Sequence, residues 1–384
     1  MTHVPATVSV LHWAAERASL TDTELEARFR KWSLWLSGEA TPTLRQLEDF
    51  ARLTHTPFGY FFLPAPPDLS LPVADYRTFR DASLREPSSE LLDVIFLCQQ
   101  RQEWFREYSL IQGLPRLSFV GSASPDDSPV EVARTLRTVL SLSFEERAAL
   151  STLTDALRQL VQKAESAGVL VMASSIVGSN SHRKLDVQEF RGFVLTDDLA
   201  PLVFLNAADS KAAQMFTLAH ELAHVWVGIS GLSDPDAGRI PALDLERWCN
   251  KVAAELLIPV ADLREVHDPA LPVQEEMQRL ARVFKVSTLV VLRRLFDSGL
   301  IDHSTLVRCY RDEVAHINAL ERDKKADGGD YYRTLGVRAS RRFSRAIVAS
   351  TMEGHTLFRD AFRLLGMRKS ATFFKAAREL GVMP

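Results

Sequence analysis

His220-Glu221-Leu222-Ala223-His224 lies inside the apolar run of Phe216, Leu218, Ala219, Leu222, Ala223, Val225, Trp226 and Val227. Two histidines four residues apart share one face of a helix, because about 3.6 residues make a turn and side chains at i and i+4 stack. Two imidazoles so placed can hold one tetrahedral cation and leave coordination positions open. Glu221 sits about 100° around the helix from His220. From there it reaches a water on the ion without displacing it. Hydrolysis by activated water needs that set: a cation that acidifies the water and a carboxylate that takes its proton. A helix with so apolar a flank does not ordinarily carry two imidazoles and a carboxylate without partners.

A third protein ligand has to come from elsewhere. The pattern predicts a helix over residues 210–228 and another over 242–257, the second ended by Pro259. The second helix offers Glu246 and Glu255, whose side chains point to opposite faces, so one of them at most can meet the ion. Asp236 and Asp244, nearer the loop, are further candidates. Helical geometry alone does not choose among them.

Upstream, a helix from Thr152 to Gly168 leads into short strands at 169–172, 190–195 and 201–206, with Thr196-Asp197-Asp198 as the turn of an antiparallel pair. Downstream, helices are expected at 274–284 and 287–296, the latter capped by Ser287. The unit over 151–308 therefore reads as α+β and mostly helical, around a small antiparallel or mixed sheet.

Residues 1–64 read as a small helical domain of the helix-turn-helix kind. Thr21-Asp22-Thr23-Glu24 has the form of a capping box. Leu44, Leu47, Phe50, Ala51 and Leu53 mark a helix that ends near His55-Thr56-Pro57. Between Phe29 and Gly38 there is room for barely two turns, and Trp32, Leu34, Trp35 and Leu36 dominate them. A base-reading helix needs several polar side chains, so a protein-interaction or sensing module with the tryptophans in its core is the better reading. Residues 65–150 form a proline-rich linker and a helical connector, with a long helix over 91–113. Residues 309–384 form a basic helical domain: positions 331–384 hold eleven Lys or Arg against three acids, a net of +8. Arg338, Arg341, Arg342, Arg345, Arg368 and Lys369 are its candidates for contact with DNA, and the same charge suits an acidic partner.

The whole chain, 384 residues with net charge −3, 46% hydrophobic and 25% charged, has the composition of a soluble multi-domain protein. Its three cysteines, Cys98, Cys249 and Cys309, are too few for a disulfide framework. No leader sequence and no membrane span are read from it, so a cytoplasmic location is expected. The remaining histidines have no ligand spacing, and nothing selects one of them, or Tyr310, as an oxyanion donor.

His220-Glu221-Leu222-Ala223-His224, Glu246-Arg247-Trp248-Cys249-Asn250 and Ala253-Ala254-Glu255-Leu256-Leu257-Ile258-Pro259 together resemble the ImmA/IrrE family of metallopeptidases. Trp35-Leu36-Ser37-Gly38-Glu39, Phe61-Phe62-Leu63-Pro64, Asp75-Tyr76-Arg77-Thr78 and the segment around Tyr331-Tyr332 resemble its long members, which carry an N-terminal helix-turn-helix domain. The resemblance implies a zincin-like core with Zn²⁺, or Mn²⁺ or another divalent ion, on His220, His224 and Glu246. Glu246 is the glutamate four residues before Asn250. It further implies Glu221 as general base and regulatory cleavage of a partner repressor or antitoxin. The other reading is a non-catalytic regulator that keeps the fold for binding. An extended substrate would add to the sheet along Val203 to Asn206.

Overall fold

Thr21 and Thr43 each open a helix by the same device. The threonine hydroxyl accepts from the amide three residues on, and the Glu24 or Gln46 side chain reaches back to the threonine amide. These caps frame α2 (Asp22–Arg28) and α4 (Leu44–Thr54), which pack with α1 (Val8–Arg17) and α3 (Trp32–Leu36). Trp32 is buried against Phe50 and Trp35 against Phe29, with Phe61 on the Phe50 ring, and the Trp32 indole N–H donates to Asp22 at 2.9 Å. Both tryptophans of the short α3 are therefore core.

The computed structural model describes residues 2–18, 20–68, 71–76, 87–233, 243–322 and 337–383, with the side chains of 318–322 left aside. Asp236, Arg77-Thr78 and the segment around Tyr331-Tyr332 lie outside the described residues. Contacts divide the chain into two units, Met1–Pro72 with Asp81–Asp93, and Val73–Arg80 with Val94–Pro384. The expected long connector helix is α5 (Ser89–Ile111).

The second unit is α+β and mostly helical. Its sheet runs in the order β1 (Ala74–Asp75), β5 (Gly231–Ser233), β3 (Gly192–Leu195), β4 (Leu202–Asn206), β2 (Leu170–Ser174). β3 pairs antiparallel with both β4 and β5, whereas β2 is parallel to β4 and β1 is parallel to β5. All residues of β2, β3 and β4 are buried. This corrects one expectation: Val203 to Asn206 is an interior strand, paired on both sides, and has no edge to offer. Its antiparallel partner is the expected one, but the crossover from β2 closes its other side.

Two helices lie against this sheet, α8 (Leu153–Ala167) and α9 (Lys211–Val227). α9 starts where the Ser210 hydroxyl accepts from the Ala213 amide and ends at Gly228 in the left-handed conformation. α10 (Asp244–Leu257) packs on α9 and on α6 (Pro129–Val139). One continuous core of α6, α8, α9, α10, α12 (Val273–Phe284) and α13 (Thr288–Asp297) surrounds the sheet's inner face. The helix His303–Arg322 runs across position 309, and Cys309 belongs to that same core. Among the described residues, the C-terminal part adds the helices Arg341–Met352, Phe358–Leu365 and Ser370–Glu379, with the predicted turn at Gly366. No described helix is long and apolar enough to cross a membrane.

Candidate metal centre

α9 carries His220 and His224 on one face, and α10 brings Glu246 to it from the first helical turn. All three side chains are buried, as is Glu221. His220 Nε2 lies 3.1 Å from one Glu246 oxygen, His224 Nε2 lies 2.9 Å from the other, and the two Nε2 atoms are 3.2 Å apart. Among the described residues this is the one His/Cys/Asp/Glu group able to hold an ion.

Asn250, one turn beyond Glu246 on α10, sets the tautomer. Its Oδ1 lies 2.9 Å from His220 Nδ1. An amide oxygen only accepts, so Nδ1 carries the proton and Nε2 presents a lone pair. Two imine nitrogens and a carboxylate then converge with no proton required between them, an arrangement that repels itself unless a cation sits in its middle. The donor set fits a divalent ion. Replacing Asn250 with Ala frees the His220 ring and should weaken metal affinity about 10–100-fold, as losing such an outer partner typically does. Metal titration of the folded variant checks it; unchanged affinity would show that α9 alone holds the ring.

The electrostatics follow from burial and proximity. Burial alone would raise the Glu246 carboxyl, but His220 and His224 outweigh it and bring it down to about 2. Burial opposes protonation of both imidazoles; Glu246 reverses this for His220, whereas His224 stays below its ordinary value. Glu221 is pushed up to about 8, first by burial and further by Glu246, against the pull of His220. Neither Glu221 oxygen meets a partner in hydrogen-bond geometry, and the Thr217 hydroxyl has none; the Ser233 hydroxyl lies only close enough to ease the Glu221 charge slightly. A polar pocket this buried and unsatisfied is arranged for something it does not itself supply.

Gly192 makes room for that carboxylate. A Cβ added there would stand 2.6 Å from the Thr217 methyl, 3.0 Å from the Phe204 carbonyl and 3.2 Å from Glu221 Oε1. Thr217 is β-branched on a helix and cannot swing aside. Gly192→Ala should force α9 off β3, costing about 1–3 kcal/mol and lowering metal affinity as well. Chemical unfolding and metal titration test both, and a variant as stable and as tight as wild type would refute the steric account.

Of the rival ligands, Glu255 faces away and accepts from the Arg294 guanidinium of α13. Asp244 is exposed and pairs with Arg247. Tyr310 packs against the core. The aromatic at the centre is Tyr76, beyond β1, whose ring stacks on His224 with centroids 5.7 Å apart and planes inclined by 14°. Nothing in the sequence pointed to it except its place in a segment resembling the family. The three cysteines are free and buried. Of the basic candidates, Arg341, Arg345, Arg368 and Lys369 are exposed. Arg338 reaches the Gly178 carbonyl at 3.3 Å, and Arg342 lies over the Phe105 ring.

Comparison with known families agrees with this geometry. Residues 339–379 match a domain of unknown function, DUF8813. No curated protein matches the chain. Residues 164–296 match the M78 peptidase family, described as the IrrE N-terminal-like domain, and this span holds His220, Glu221, His224, Glu246 and Asn250. Residues 164–296 are thus a metallopeptidase-type domain of the ImmA/IrrE family.

Proposed function

We propose that the chain is a zinc-dependent endopeptidase that makes site-specific, regulatory cuts in a partner protein, such as a transcriptional repressor or an antitoxin. The observation that carries this is the meeting of His220, His224 and Glu246 in one buried cluster, with the unpartnered Glu221 carboxylate one residue from the first ligand. A divalent ion bound there supplies Lewis acidity, which acidifies water and polarises a peptide carbonyl. Asn250 keeps His220 in the tautomer whose Nε2 faces the cluster. Glu221, free of other bonds, takes a proton from the attacking water and passes it to the leaving amine. Burial of these groups strengthens each of these interactions.

Co-expression of the chain with the products of neighbouring genes tests the reading. A fragment of one such product should appear with the wild type and be missing with Glu221→Gln. If the same fragments form with both, the reading is wrong.

A further inference from the structure

The outer edge of β5 is the backbone edge beside the metal centre, since β5 ends at Ser233, in the pocket of Glu221. The chain itself occupies that edge. Ala74 pairs with Gly231 and Asp75 with Leu232 in parallel, and the Tyr76 amide donates to the Leu232 carbonyl at 2.9 Å. The segment then lays the Tyr76 ring flat on His224, a proposed ligand. Gly231 permits the close fit: a Cβ there would stand 2.3 Å from Tyr76 Cε2. The contact is specific, yet its hold is slight. β1 is two residues long, both exposed, and a two-residue edge pairing lies at the low end of local stability.

We propose that Val73–Tyr76 is an internal strap that competes with the substrate for the outer edge of β5. The partner is an extended polypeptide segment. It takes over the outward backbone bonds of Leu232 as the strap peels away, and the departing Tyr76 ring uncovers His224. Cleavage then requires a substrate segment able to replace the strap, so a folded partner without a free extended stretch is left uncut. This rests on the peptidase reading for its biological meaning, but its physical content is tested without any proteolysis.

Three full-length proteins loaded with Zn²⁺ would be compared: wild type, Tyr76→Phe and Tyr76→Ala. Stopped-flow transfer of Zn²⁺ to a chromophoric chelator reports access to the centre. Tyr76→Ala should release the ion at least tenfold faster than wild type, and Tyr76→Phe, which keeps the ring, should match wild type. Equal rates for wild type and Tyr76→Ala would overturn the proposal. In a second measurement a non-cleavable peptide hydroxamate is bound to the wild-type protein while amide hydrogen exchange is followed. The Tyr76 amide should lose protection and the Gly231–Ser233 amides should not. A Tyr76 amide that stays protected with the hydroxamate bound would likewise sink the strap. Failure of the peptidase reading has a separate signature: no variant cleaves any partner, whatever the chelator and exchange experiments show.

Discussion

Glu221→Gln is expected to abolish cleavage, keep the ion and make the metal-free protein more stable at alkaline pH. Loss of a general base costs about 10²–10⁴-fold in rate, and Gln is nearly isosteric, so the ligand cluster is undisturbed. The stability gain comes from linkage. In the unfolded chain the Glu221 carboxyl titrates at its ordinary 4.5, whereas in the fold it is pushed up to about 8, first by burial and further by Glu246. The folded state therefore binds this proton more tightly. Its stabilising effect is complete below the unfolded value and is lost as pH rises to about 8, a loss of roughly 3–5 kcal/mol for a shift of this size. Gln carries no such proton, so the variant should lack this decline and keep only the contributions of His220 and His224, which are shifted in opposite directions. Glu246 acts in the opposite sense. Its folded value of about 2 supplies stability above 4.5 that disappears in acid, and the Glu221 substitution leaves that limb in place. Denaturant unfolding of both metal-free proteins from pH 4 to pH 9 reads the difference. Parallel pH profiles would show that Glu221 is not the buried, protonated acid described above. A bound divalent cation removes the penalty by favouring the carboxylate, so added metal should stabilise the wild type increasingly as pH rises.

The sequence showed the centre because its chemistry is local. His220, Glu221 and His224 lie on one helix turn, and the apolar flank announces that the turn is buried. Glu246 was reachable only through the resemblance, since a helix presents Glu246 and Glu255 equally and the choice is made by how α10 docks on α9. The capping box at Thr21 and the Ser287 cap, though not the box at Thr43, were legible for the same local reason. β1 and β5 were not, at two and three residues, because so short a strand has no periodicity to detect. Their shortness hid the edge beside the centre, while the substrate edge expected on β4 fails because pattern does not reveal that β2 pairs parallel with it. Tyr76 was invisible for the complementary reason. It reaches His224 across a sequence separation that no motif spans, through the pairing of two strands that pattern alone does not reveal.

The carboxylate passed over as a ligand supports the largest stability effect expected of a single site. Glu255 and Arg294 are both buried and joined by a charge-assisted bond. The Arg294 Nε also donates to the Ile258 carbonyl at 2.9 Å, and the Arg137 guanidinium donates to the Glu255 carbonyl at 2.8 Å. These bonds fasten the end of α10, and so the helix that presents Glu246 and Asn250, to α13 and α6. Burial lowers Arg294 to about 10, which leaves it charged at neutral pH. Removing either partner strands the other's charge away from water. Arg294→Met and Glu255→Ala should each cost about 3–5 kcal/mol, while Glu255→Leu combined with Arg294→Met should recover most of that loss, because an apolar pair leaves no orphaned charge. Denaturant unfolding of wild type, Glu255→Leu, Arg294→Met and their double variant closes the cycle and gives the coupling energy. Metal titration under native conditions adds the decisive comparison. Glu246→Ala should lose the ion yet remain folded, whereas the Glu255 variants should bind it normally in their folded fraction. If the double variant were as unstable as the sum of the single ones, the buried pair would not be the fastening. If Glu255→Ala lost the ion while still folded, the assignment of Glu246 as the third ligand would fail with it.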